Sequence, residues 1–228
     1  LRVQIISHTN DPERTVAAAV RLCYSASDID EIREKIDDSE AARLIEKALK
    51  LGHHSVLEHA SFTFGIEGIS RACSHQLVRH RIASFSQQSQ RYVKMRHSDF
   101  TLPDSIAGNA EAAQRYNAAV ETLQSVYNDL LTAGFPAEDA RYVLPNATKT
   151  KILMTANARS LLNFFELRLC VRAQWEIRRL ASLMLEEARV VAPTLFKMAG
   201  PTCETKGFCR EGEKSCGRAK PLDSPNSE

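Results

Sequence analysis

No apolar run in the 228 residues is long enough to span a membrane. The opening "LRVQIISHTN" lacks the charged, apolar and small-residue succession of a secretory signal peptide. The expectation is a cytoplasmic protein with no membrane partner. The nine glycines form neither G-x-G-x-x-G nor the P-loop string, so a nucleotide would not be held in the Rossmann or Walker manner. Without H-E-x-x-H or G-x-S-x-G, two familiar hydrolase classes lose their support. No histidine follows His97, which limits metal ligation in the second half to Cys and carboxylates. The most informative absence is local. From Arg71 to His97 there are six Lys or Arg and three His, yet no Asp or Glu.

A solvated face usually mixes charge signs. The acid-free stretch therefore points to an anion-binding site rather than a bare basic surface, although the net charge is only +2. Its centre, "RHRIASFSQQSQR", combines three arginines with serines and glutamines. Arg79 and Arg81 are fork donors suited to phosphate. Gln76, His80 and Gln87 can hydrogen-bond a flat heterocycle, and Ser89 and Arg91 can close on a second phosphate. An alternative from another class is a nucleic-acid-binding module using residues 71–97. Against it, the segment is poor in aromatics and carries no nucleic-acid motif.

With 43% hydrophobic and 25% charged residues, the composition is that of a globular protein. Residues Val3 to Ile6 read as a strand. Asp11 and Pro12 mark a helix start, and 39–50 form an amphipathic helix stopped by Gly52. "ASFTFGIEGIS" alternates as a strand with one buried face, and a short helix follows from about Ile69 to Val78. A long helix spans 109–132, and Pro136 opens a short one. "NATKTKILMTAN" is a second strand of the same sheet. The pattern from Ala158 to Ala192 is helical, with a break between Asn163 and Arg168. The fold class is mixed α/β (α+β): a central mixed sheet flanked by helices in one domain, 1–199, followed by a tail, 200–228.

The tail is rich in Gly, Pro, Ser and charge and is either disordered or held by something other than a core. Cys203, Cys209 and Cys216 are candidate metal ligands that lack a fourth partner. No metal is assigned from the rest of the chain. "GHHSVLEH", residues 52–59, gathers three His with Ser55 and Glu58, a set suited to phosphate, ribose or ring contacts more than to zinc.

"RHRIASFSQQS" fits the R-H-R-x7-S signature of the flavin-dependent thymidylate synthases. "GHHSVLEH", "ARYVLP" and "NARSLLNFFELR...AQWEIR" resemble that family's other landmarks in the right order. The resemblance covers about residues 1 to 198. It implies a methyltransferase that converts dUMP to dTMP, with methylenetetrahydrofolate as carbon donor, NADPH as reductant and bound FAD as relay. It also implies a homotetramer with shared active sites and no nucleic acid as partner. Carried onto this sequence, Ser55, Arg79, His80, Arg81, Gln87, Asn157, Arg159 and Asn163 would contact FAD. Gln76, Arg79, Gln87, Gln88, Ser89, Gln90, Arg91, Arg141 and Arg168 would contact the nucleotide. Arg168 would polarise the uracil ring, and no protein nucleophile is expected. Two departures stand out: Gln87 occupies a position where many members have Glu, and Arg172 replaces a frequent His.

Overall fold

The computed structural model describes residues 1–220. The first strand, β1 (Arg2–His8), leads to helix α1 (Pro12–Leu22). Asp11 precedes α1 as expected, but it adopts φ 45° and its side chain caps nothing. Pro12, with its φ already helical and no N–H to satisfy, sets the start instead. Two helices follow, α2 (Ile29–Glu34) and α3 (Asp38–Lys50). The carboxylates of Asp28 and Asp37 accept from the backbone N–H groups of Glu31 and Glu40, so side chains satisfy helix donors that lack an internal partner. Helix α2 escaped the sequence reading because six residues give too little periodicity. Gly52, at φ 73°, ends this region in the left-handed conformation expected of it. A 3-10 turn over His54–His59 then leads into β2 (Ser61–Ser70).

Helix α4 (Arg71–Leu77) follows directly, capped by Ser70. A short strand, β3 (Ser84–Gln87), lies inside the basic segment, where no strand was expected. Helices α5 (Asp104–Ala107), α6 (Ala110–Thr132) and α7 (Ala137–Ala140) precede strand β4 (Lys149–Asn157). Then come α8 (Ala158–Arg168), α9 (Trp175–Val191) and a single turn, α10 (Thr202–Thr205). The expected helix break falls at 169–174 rather than 163–168. The Gln174 side chain accepts from the N–H groups of Glu176 and Ile177 and so starts a new helix there.

The strands form one antiparallel sheet in the order β1-β2-β4-β3. Thr63 of β2 and Thr155 of β4 share a hydroxyl hydrogen bond of 2.9 Å, which fixes the β2–β4 register. Alternate residues of β4, Thr150, Ile152, Met154 and Ala156, are buried. Their partners between are half-buried or exposed, the pattern of a sheet with one face on a core.

The described chain divides into two compact units. The first comprises residues 1–2, 66–79 and 85–153; the second comprises 3–65, 80–84 and the chain from Met154 onward. Tyr127, Leu131, Ala137 and Ala140 form a core in the first unit, with Met95, Leu130, Val143 and Leu144 packed against it. The second has an aromatic core in which Phe165 meets Phe164 and Phe196 edge-on, while Phe196 meets Phe62. Through Thr205 the early tail carries the single turn α10, and Cys209 is buried. The remainder of the proposed tail, 221–228, lies outside the described residues.

Candidate active site

The expected site residues fall in both units, and the unit boundary runs through the signature itself: Arg79 belongs to the first, His80 to Ser84 to the second.

In the first unit, α4 carries Gln76, which is half-buried. Gln87, at the end of β3, donates its amide to Ser74 Oγ at 2.9 Å and to Thr150 Oγ1 at 3.3 Å. Ser74 Oγ in turn donates to the carbonyl of Arg71. Gln87 is thus held from helix and sheet at once, and its amide nitrogen is committed internally. Gln88 extends the sheet pairing through its N–H to the carbonyl of Lys151. Gln90 is half-buried in the turn that follows.

Ser89 occupies that turn. Its Oγ accepts from the N–H of Arg91 and its carbonyl accepts from the N–H of Val93. Among the described residues no histidine hydrogen-bonds it, so the base that a serine nucleophile needs is missing. Arg91 donates from Nε and Nη2 to Glu138, at 3.0 and 2.9 Å. Arg141 donates its Nε to the backbone carbonyl of the same Glu138. Arg71 was not among the expected contacts. Burial, and then the like charge of Arg141, push its guanidinium pKa down. Two guanidinium groups in mutual repulsion with partial burial are a receptive pair for a dianion. The sequence did carry a signal for it: Arg71 opens the acid-free stretch.

In the second unit His80 is 7% exposed. Its Nε2 lies 2.8 Å from Ser160 Oγ and 3.1 Å from the Ser160 carbonyl. Ser160 Oγ donates to the carbonyl of Ile82. The carbonyl beside Nε2 can only accept, so Nε2 bears the proton and Nδ1 keeps a lone pair. The ring packs edge-on against Phe164. Burial lowers the His80 pKa, the Ser160 contact raises it in part, and the charge of Arg168 lowers it further. The neutral imidazole is therefore favoured. Ser160 is the partner that sequence reasoning missed; a serine three residues after an asparagine looks like an ordinary helix residue.

Asn157 caps α8, its Oδ1 accepting from the N–H of Ser160 at 2.9 Å. Arg159 and Asn163, one turn apart on α8, are both exposed. Arg159 pairs with Glu58 at 2.5 Å, which ties α8 to the His54–His59 turn. Ser55 lies in that turn and lines a cavity of about 330 Å³ together with His53 and Val56. Arg79 and Arg81 are exposed, and among the described residues no carboxylate pairs with either. Arg168 ends α8 half-buried. Its Nε is buried and, among the described residues, has no hydrogen-bond partner. An orphaned donor of this kind is costly unless a ligand completes it.

In the first unit the exposed fork of Arg79 and neutral hydrogen-bonding side chains suit a phosphate and a flat heterocycle. In the second, the exposed fork of Arg81 and the orphaned N–H of Arg168 offer the same two kinds of donor. No described group of three or more His, Cys, Asp or Glu is arranged to hold a metal ion. Among the described residues, no helix is long and apolar enough to cross a membrane.

A family model described as "Thymidylate synthase complementing protein" matches residues 4–194. A protein of Geobacter sulfurreducens named flavin-dependent thymidylate synthase is 55% identical over 96% of this chain and 95% of its own length. Proteins of the same name from Nitratidesulfovibrio vulgaris and Pyrococcus furiosus are 47% and 42% identical, over 95% and 92% of this chain and 94% and 90% of their own lengths.

Proposed function

This chain belongs to the thymidylate synthase complementing protein family, and on that premise we propose how its own side chains serve the reaction. The activity is methylation of dUMP to dTMP, and FAD is the cofactor. Folate and NADPH are the further reactants that the family implies. The alternative of a nucleic-acid-binding module draws no support from the relatives.

Arg168 is the proposed catalytic residue. Carbon 5 of uracil is a poor nucleophile until the ring becomes enolate-like. Negative charge gathers on the ring oxygen as the ring becomes enolate-like and is spent as carbon 5 forms the new carbon bond. It gathers again as the carbon-5 hydrogen leaves as a proton. A fixed guanidinium at the ring edge stabilises that charge. Arginine suits the task because it stays protonated and planar. The observation that carries this reading is the orphaned, buried Nε of Arg168: the donor is already desolvated and, among the described residues, has no partner to give up.

Gln76, Arg79, Gln87, Gln88, Ser89, Gln90, Arg91 and Arg141 are proposed to hold the nucleotide. Arg71 joins them through its proximity to Arg141. Ser89 contributes a hydroxyl contact and not a nucleophile. Glu138 takes the Nε and Nη2 donors of Arg91 and so positions it, leaving Nη1 as the donor proposed for the nucleotide.

Ser55, Arg79, His80, Arg81, Gln87, Asn157, Arg159 and Asn163 are proposed to hold FAD. They fit a polyanionic group: Arg79 and Arg81 have no carboxylate partner among the described residues, and His80 keeps Nδ1 available as an acceptor. When bound, FAD relays electrons from NADPH, and the protein supplies orientation and charge. Most of these side chains are exposed on a single chain. That supports a homotetramer in which a neighbouring subunit closes each site. Absence of a membrane-spanning helix among the described residues is compatible with the cytoplasmic location proposed here.

The test is turnover by Arg168→Ala. The variant is expected to keep its flavin and to lose turnover by about 10²–10³-fold, the usual cost of removing one charge-stabilising donor. Wild-type turnover in that variant would remove Arg168 from the catalytic role.

A further inference from the structure

The tail contains chemistry that dUMP methylation does not use. Cys203, Cys209 and Cys216 line one small cavity of about 80 Å³, and Cys170 lines it with them. Cys170 sits in the turn between α8 and α9, where its carbonyl accepts from the N–H of Ala173. The three tail cysteines alone lack a fourth ligand, and Cys170 is a thiol of the body of the fold that lines the cavity with them.

We propose that these four cysteines form a tetrathiolate zinc site that fastens the tail onto the α8–α9 turn. Three observations lead there. First, the tail has almost no core of its own: among residues 201–220 only Pro201 and Cys209 are buried. Its other ties to α8 are polar, from Lys206, Arg210 and Thr202 to Glu166, and partly exposed ion pairs contribute little. Short segments without a core are usually held by disulfides or metals.

Second, four thiols on one cavity, with Cys216 exposed and Cys209 buried, supply the number and type of ligand that closed structural zinc takes, whereas a catalytic site keeps a position open. All six cysteines are free thiols. Cysteine clusters in enzymes of reducing compartments more often serve metals than disulfides. Third, the chain geometry around the sulfurs is turn-rich. Gly217, directly after Cys216, takes φ 81°, a left-handed turn that only glycine adopts without strain. The N–H of Cys209 donates to the carbonyl of Lys220 at 2.8 Å, folding the tail's end back on itself.

Binding requires the cavity to contract. Among the described residues the sulfurs do not yet converge on one point, and zinc needs each at about 2.3 Å. Each cysteine gives up its proton to solvent and binds as thiolate, so uptake releases protons and weakens at low pH. Four thiolates and one Zn²⁺ leave a net charge of −2, which Arg172, Arg210 and Arg218 partly offset, while Glu166 and Glu211 on the same cavity add to it.

The experiment is elemental analysis of the full chain, purified without chelators from zinc-supplemented cells. The expected result is about one zinc per chain, falling below about one in ten for Cys170→Ser and for Cys209→Ser and unchanged for Cys23→Ser. Should the variants fail to fold, thiol labelling of the wild type decides. A chelator is expected to expose four additional thiols. Wild-type zinc below about one in ten chains, a chelator that exposes no further thiol, or a mass showing disulfides among the four would overturn the proposal.

Discussion

His80 and Ser160, 80 positions apart in sequence, meet in the second unit with Nε2 2.8 Å from Oγ. The contact makes the middle residue of the R-H-R signature a piece of internal architecture. It joins the segment after α4 to the first turn of α8, and Ser160 passes the link on to the carbonyl of Ile82. The two arginines beside His80 are exposed, so a buried imidazole anchors the segment that presents them.

Stability should depend on pH through His80. Its folded pKa lies below the ordinary histidine value, because of burial foremost and the charge of Arg168 in addition. The unfolded chain therefore takes up the proton first as pH falls. The contribution of the neutral ring is fully present above about pH 6.5 and is lost as pH drops through the lowered folded pKa. Urea unfolding at stepped pH values should show stability falling from about pH 6.5 downward, above the range where carboxylates titrate. His80→Gln should flatten that part of the curve. An equally steep decline in the variant would remove His80 as its source.

Ser160→Ala removes the hydroxyl that accepts from His80 and donates to Ile82. The expected loss is about 0.5–1.5 kcal/mol, the net worth of an ordinary intramolecular hydrogen bond, since the Ile82 carbonyl is only part-buried and His80 keeps the Ser160 carbonyl as acceptor. Denaturant midpoints at constant m-value measure it, and flavin content should fall as the anchor of Arg79 and Arg81 loosens.

Asn157 holds two assignments that substitution can separate. It caps α8 through Ser160 and is proposed to contact FAD. Asn157→Ala should cost about 1 kcal/mol of stability and weaken flavin binding. Asn157→Ser keeps the cap and should restore stability while flavin binding stays weak. If serine restores both, the residue is a cap alone.

Arg79→Ala should lose flavin, because its fork has no internal partner among the described residues and is free for a phosphate. Flavin released on denaturation, per chain, measures it. Glu58→Gln gives the complementary test. Its pair with Arg159 is about half-exposed on both sides, so stability should change by less than about 1 kcal/mol. Release of Arg159 should tighten flavin binding, most visibly at low salt.

The sheet and the long helices were legible because their periodicity is strong: Phe62, Phe64 and Ile66 alternate inward along β2, and Asn109 and Gly134 bracket α6. Short elements were not. Strand β3 has four residues, and its pairing with β4 is a tertiary fact that no local pattern contains. The break after α8 was misplaced because the deciding group is the side chain of Gln174, a residue type that rarely signals a cap.

Within the site, residue types were legible and commitments were not. The acid-free stretch announced an anion site, yet Arg91 is tied to Glu138 and Arg159 to Glu58, partners 47 and 101 positions away. Sequence spacing could not reveal those pairs. Nor could it reveal that Cys170 shares a cavity with the tail cysteines.

The most direct test of the central claim is dTMP formation under anaerobic conditions with dUMP, methylenetetrahydrofolate, NADPH and the flavin-loaded enzyme. Wild type and Arg168→Ala should be compared at equal flavin content. The account predicts dTMP from the wild type and a drop of about 10²–10³-fold in the variant. Equal rates from the two proteins, or no dTMP from a folded, flavin-loaded wild type, would contradict it.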